Sequence, residues 1–169
     1  AYYENKQCLL LECSKNNHNN HVSVLEWAGE RYVVVLDGTL FNARDLIQQL
    51  RSLGHQFSDY SDREVILRAY IQWGNEMPGK LLGSFAFAIW NENKKRLFVA
   101  RDQMGVKPLF YSVCNGGFIF ASEIKTILES SVVSARIDQE SIFQIILLGL
   151  GRIPGSGVFK DIYELEPGM

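Results

Sequence analysis

Apolar positions in this chain recur at two spacings. Short unbroken or alternating apolar runs mark strands, and a period near 3.6 residues marks helices. Gln7–Cys13 (QCLLLEC) reads as a strand leading into an exposed loop, residues 14–20, rich in Asn and Lys. His21–Glu26 alternates enough for a second strand. Arg31–Leu36 (RYVVVL) is a β-branched third, which Asp37-Gly38 is expected to end as a turn. Ser84–Trp90 (SFAFAIW) is apolar on both faces: Phe85, Phe87 and Ile89 point one way, Ala86, Ala88 and Trp90 the other. Such a strand has to be covered on both sides. Arg96–Ala100 should pair back onto it across the polar turn at 91–95. Leu109–Val113 and Phe118–Ala121 form another hairpin about Asn115-Gly116-Gly117.

The helical pattern occurs four times. Leu46, Ile47, Leu50 and Leu53 share one face, with Asn42 as the expected N-cap and Gly54 as the stop. Ser61-Asp62-Arg63-Glu64 has the spacing of a capping box, and Val65, Ile66, Ala69, Tyr70 and Trp73 follow on one face. Glu123–Leu128 reads as a short helix. Asp138 is expected to cap a last helix carrying Ile142, Phe143, Ile145 and Ile146, apolar nearly all round and hence expected to be buried. Antiparallel hairpins, two amphipathic helices and a strand buried on both faces predict an α+β domain. The expected architecture is a four-layer αββα sandwich, two antiparallel sheets between helices.

Composition narrows the function classes. The chain has 169 residues, 17 basic and 19 acidic, for a net charge of −2. It carries no basic stripe, so nucleic-acid or membrane-surface partners are not expected. No run approaches the length of a membrane span. Cys8, Cys13 and Cys114 have no metal-type spacing and read as free thiols in a reducing cytoplasm. His18 and His21 could hold a metal, but with His55 they read better as surface-loop histidines.

Four segments, in order, carry a family resemblance. They are Leu36-Asp37-Gly38-Thr39-Leu40-Phe41-Asn42; Ser61-Asp62-Arg63-Glu64-Val65; Gly83–Tyr111, with its Ala-Arg-Asp and Gly-Val-Lys-Pro-Leu-Phe-Tyr ending, followed by Phe120-Ala121-Ser122-Glu123-Ile124-Lys125; and Ile153–Lys160 with Glu164-Leu165-Glu166-Pro167-Gly168. Together they resemble the glutaminase domain of asparagine synthetase-like enzymes, class II glutamine amidotransferases of the N-terminal nucleophile hydrolase type. In that family an N-terminal Cys attacks the glutamine amide, its own α-amine acts as base, and ammonia passes to an acyl-adenylate made elsewhere in the protein. Such chemistry needs a nucleophile with a base, an oxyanion stabiliser and a grip on the substrate's amino-acid end.

The resemblance implies substrate-binding roles for Asp62, Gly38 and Asp37. Asp62 matches the acid that grips the glutamine α-ammonium, and it would also suit a helix N-terminus. Gly38 matches a backbone oxyanion donor. Asp37 departs from the pattern, which has Asn there. An ionised carboxylate has no hydrogen to donate, and losing one oxyanion donor costs about 3 kcal/mol. Arg101-Asp102 is read as a structural pair at a strand-end corner, and Glu123 with Lys125 as a helix start or interface pair. The family's N-terminal Cys and its Arg-Gly-Pro-Asp loop have no counterpart here. Ala1 has no nucleophilic group, and Cys8 and Cys13, read as lying inside a strand, are no substitutes.

The expected division is an amidotransferase-like domain over 1–150, incomplete at its N-terminus, and an exit segment over 151–169 toward a synthetase domain. No catalytic residue, metal or cofactor is assigned to the chain itself. ATP and magnesium are implied for the synthetase domain, glutamine is the small-molecule ligand, and a homodimer is left open. By this reading the parent passes ammonia from glutamine to ATP-activated aspartate, while the chain alone is inactive. The alternative is a non-catalytic scaffold of the kind that lasso-peptide cyclases and β-lactam synthetases carry. A sugar-phosphate acceptor fits the last segment less well.

Overall fold

The structure is a computed structural model that describes residues 2–11, 22–114, 116–137, 139–148 and 158–169. Strands β1 (Tyr2–Glu4) and β2 (Leu9–Leu11) form a two-stranded hairpin. Strands β3 (Ser23–Trp27), β4 (Glu30–Leu40), β5 (Gly83–Asn91) and β6 (Arg96–Arg101) form an antiparallel sheet in that order. Strands β7 (Phe110–Cys114), β8 (Gly117–Ala121) and β9 (Tyr163–Glu164) form another, ordered β8-β7-β9. The helices are α1 (Ala43–Ser52), α2 (Asp62–Trp73), α3 (Ile124–Glu129) and α4 (Gln139–Leu148). A 3₁₀ segment, Gly74–Lys80, follows α2.

The two-faced pattern of β5 organises the layers. Phe85, Phe87 and Ile89 pack with Leu46 and Leu50 of α1 and Val65, Ile66 and Ala69 of α2. Ala88 and Trp90 pack on the opposite face with Val33 and Val35 of β4, Leu10 of β2 and Phe120 of β8. Phe110 and Ile119 of the β8-β7-β9 sheet pack on its far side against Ile124, Ile127 and Leu128 of α3, together with Val133 and Ile162. The order is therefore helix, sheet, sheet, helix, as the α+β reading expects. A fully buried Phe such as Phe87 contributes roughly 2–3 kcal/mol of apolar burial.

Several local expectations are corrected. Asp37-Gly38 does not end β4, because pairing with β5 continues through Asp37↔Ala86, Gly38↔Phe85 and on to Leu40↔Gly83. Asn42 precedes α1 without a side-chain cap bond. Its Nδ2 donates to the Lys80 carbonyl and its Oδ1 accepts from the Leu82 amide, tying the helix start to the neighbouring loop. Cys8 lies in the turn before β2 rather than inside a strand. His55 is buried, stacked on Trp27 with ring centroids 5.1 Å apart, and its Nε2 lies 2.9 Å from Gln72 Oε1. The largest correction is α4. Ile142, Phe143, Ile146 and Leu147 are exposed, with Ile146 at 75%. An apolar sequence shows that a face can be covered, not that this chain covers it. Cys13, His18, His21, Asn115, Asp138 and residues 151–157 of the expected exit segment lie outside the described residues.

Ser61 caps α2, its Oγ accepting from the Glu64 amide at 3.2 Å. Glu64 does not complete the capping box. It accepts from the amides of Ser58 and Asp59, and from Arg68 Nε at 2.8 Å and Nη2 at 2.6 Å. Burial alone pushes the Glu64 carboxyl up, but these donors outweigh it and hold it at about 2, below its ordinary 4.5. The folded pKa is the depressed one, so Glu64 stabilises the fold fully above about pH 4.5. That contribution is expected to fall away as the pH drops toward about 2. Urea unfolding between those pH values checks it, because Glu64→Gln should flatten the slope.

Candidate active site

The site forms at the far end of β4. Among the described residues, its pairing with β3 ends at Val34↔Ser23. Gly38 takes φ +128°, and a Cβ there would lie 2.0 Å from the Ser84 carbonyl oxygen of β5. Gly83 is similar, with a Cβ position 2.3 Å from the Thr39 carbonyl oxygen. Only two glycines allow the strands this close an approach.

Asp62, the first residue of α2, reaches back to this end of β4. Its Oδ2 accepts from Thr39 Oγ1 and from the Leu40 amide, both at 2.9 Å. Asp62 is thus part of the helix start and part of the outer edge of β4 at once. Asp37 follows Val33 and Val35 on the face of β4 that looks toward the second sheet. Its Oδ1 lies 2.7 Å from Lys107 Nζ, and its Oδ2 accepts from Ser122 Oγ at 3.1 Å. The Asp37–Lys107 pair is partly exposed, at 41% and 34%. The three predicted residues are therefore contiguous. Gly38 separates Asp37 from Thr39, and Thr39 touches Asp62.

The corner between β6 and β7 holds Lys107 in place. Asp102 is fully buried and accepts from the amides of Phe85, Met104, Val106 and Lys107. Burial raises its carboxyl, but the four amides outweigh that and leave it below the usual range. Arg101 donates through Nε to the Lys107 carbonyl, through Nη2 to Gly105, and through Nη1 to Leu165 and Glu164. The expectation of a structural corner holds. The two side chains, however, hold backbone groups of the corner, both of them at Lys107, instead of each other, and Arg101 also bonds the Glu164 carboxylate. Lys125 pairs with Glu129 at 3.6 Å, not with Glu123.

Cys8 packs against the inter-sheet core, and burial pushes its thiol up, away from the reactive thiolate. No cluster of three or more metal-ligating side chains occurs among the described residues. A cleft of about 500 Å³ at the other end of the sheet is lined by Trp27, Glu30, Arg31 and Glu92 among others. Arg31 pairs there with Glu92, and Glu30 with Lys94.

The family described as "Glutamine amidotransferase domain" matches residues 23–169. The chain belongs to the glutamine amidotransferase domain family. It is 45% identical over 141 residues to asparagine synthetase [glutamine-hydrolyzing] 3 of Bacillus subtilis, covering 83% of this chain and 23% of that protein. It is 35% identical over 144 residues to asparagine synthetase [glutamine-hydrolyzing] 1 of the same organism, covering 85% of this chain and 22% of that protein. The chain thus spans less than a quarter of these relatives. Glutamine phosphoribosylpyrophosphate amidotransferase of B. subtilis superposes with a TM-score of 0.57 over 69% of this chain and 27% of its own, at 24% identity, and shows the N-terminal nucleophile-type fold.

The signature segments of this glutamine amidotransferase domain converge in space. The first supplies the end of β4, the second the start of α2, and the third β5, the corner and Ser122 after β8. The described part of the fourth supplies β9, and the Met169 carbonyl accepts from the Arg101 amide. Thr39, Lys107 and Ser122 stood inside these segments, but sequence reasoning gave them no site role. The signal available was their place within the quoted motifs, and the contacts that matter span up to 85 positions.

Proposed function

We propose that this chain is the glutamine-handling module of an asparagine synthetase-like ligase. Glutamine is its ligand, and the ammonia released passes to ATP-activated aspartate on a synthetase domain that uses ATP and magnesium, in the cytoplasm. The observation that carries this reading is Asp62 seated on the end of β4, bonded to Thr39 and Leu40 beside Gly38. A carboxylate there suits the α-ammonium of an amino acid, and a strand-edge amide two residues before Leu40 suits the side-chain carbonyl. The curated relatives named above support the substrate and the parent reaction. No helix among the described residues is long and apolar enough to cross a membrane. The exposed apolar side chains of α4 suit contact with another domain.

The test is glutamine titration of the chain, read at the Thr39 and Leu40 amides by NMR. Binding is expected to shift both, and Asp62→Ala should weaken it about tenfold or more, as loss of a charge-assisted hydrogen bond does. If glutamine moves neither amide, the reading is wrong.

A second reading has one observation in its favour. Asp37 offers no donor, and both its oxygens are engaged by Lys107 and Ser122. That arrangement suits a scaffold of the lasso-peptide cyclase or β-lactam synthetase kind, whose amidotransferase-like domain handles no ammonia. No glutamine response in an otherwise folded chain would favour it.

A further inference from the structure

Asp37 places a negative charge beside the amide that an oxyanion would use, and the structure shows what offsets it. Lys107 Nζ lies 2.7 Å from Asp37 Oδ1. Lys107 is held at its backbone on both sides, its amide by Asp102 Oδ2 at 3.0 Å and its carbonyl by Arg101 Nε at 2.6 Å. Both holders are nine-tenths or more buried. The buried corner thus aims one lysine at one carboxylate, and Ser122 fixes that carboxylate's other oxygen at 3.1 Å. Meanwhile the Leu40 amide points off the outer edge of β4 to Asp62. Strand alternation sends the Gly38 amide to the same edge, past Val34↔Ser23, the last described pair with β3.

We propose that Lys107 is a positioning residue for this site: its ammonium cancels the charge of Asp37, so that the Gly38 amide can receive a negative oxygen. The inference rests on the glutamine reading for the identity of the reaction, since an amide carbonyl under attack develops that oxygen. The charge balance itself does not depend on glutamine. At such a separation the ammonium offsets the field that Asp37 would otherwise set against an anion at the neighbouring amide. Arg101 and Asp102 then do more than close a corner, because they set the position from which Lys107 acts.

The experiment uses the full chain, isotope-labelled, with acetate as a carboxylate probe and the Gly38 amide shift as readout. In the parent sequence acetate should shift the Gly38 amide in a saturable way. Lys107→Gln should weaken that response about tenfold, because Asp37 is left uncompensated. Lys107→Arg should keep it within about threefold. The double variant Asp37→Asn/Lys107→Gln should recover it, because a neutral amide needs no counter-charge. Recovery in the double variant also separates this role from a merely structural one, since the lost ion pair is absent there too. The proposal is overturned if the Gly38 amide of the parent chain ignores acetate, if Lys107→Gln responds like the parent, or if the double variant stays as weak as Lys107→Gln. Glutamine titration read at Thr39 and Leu40 tests the other reading separately, so either can fail alone.

Discussion

Asp102→Ala is expected to lower the unfolding free energy by roughly 4 kcal/mol, measured by urea denaturation at neutral pH. The size follows from what the side chain does. It is 0% exposed and is the acceptor for four backbone amides, those of Phe85, Met104, Val106 and Lys107. Alanine leaves those donors without their partner. Water entering the space recovers part of the loss, which keeps the figure well below four full hydrogen-bond penalties. Asp102→Asn should fall between the two, because its amide keeps one accepting oxygen but turns an NH₂ toward donors. The pH dependence has a definite sign. The folded carboxyl lies below its ordinary 3.8, so its contribution is complete above that range and is lost as the pH falls through the depressed folded value. Asp102→Ala should remove that part of the acid sensitivity and leave the part due to Glu64. A loss under about 1 kcal/mol would mean that the corner holds its shape without the carboxylate.

Gly38→Ala is expected to cost about 3–5 kcal/mol, the sum of overpacking and an unfavourable backbone conformation. The added Cβ would meet the Ser84 carbonyl oxygen at 2.0 Å and the Phe85 Cα at 2.8 Å. Both obstacles are backbone atoms of the central strand, so neither can swing aside as a side chain could. The φ of +128° adds a conformation that residues with a Cβ rarely adopt. Gly29→Ala is the control: φ is also positive, +77°, but nothing lies within 4 Å. It should cost only about 1–2 kcal/mol. If the two variants unfold at the same urea concentration, the close approach of β4 and β5 is not what requires Gly38.

Strand and helix identities were legible wherever the covering partner was encoded nearby or on both faces. SFAFAIW could be nothing but a strand between two layers, and Phe87 and Ala88 do lie in different cores. α2 was readable from Ser61 onward because capping is local. Periodicity failed where the deciding contact was remote. Asp37-Gly38 reads as a turn because Gly supplies unusual backbone angles, yet here pairing with Phe85 and Ala86 carries the strand through. Asn42 and Glu64 had the chemistry of caps, but their better partners were backbone groups of another loop. α4 was expected to be buried because its sequence is apolar, and nothing in a sequence states whether a cover is present.

For the site, residue types and motif order were enough to single out Asp37, Gly38 and Asp62 and to place the chain in its family. These are properties of local sequence: a carboxylate at a helix start, a glycine in a strand, four segments in a set order. The tertiary structure alone decided that Asp62 bonds the end of β4, that Asp37 has a counter-ion, and that the counter-ion is Lys107. Those facts depend on distances across 22, 70 and 85 positions in the chain, between Leu40 and Asp62, Asp37 and Lys107, and Asp37 and Ser122. A charge's sign can be read from its residue type. What it does depends on what folding brings within a few ångströms of it.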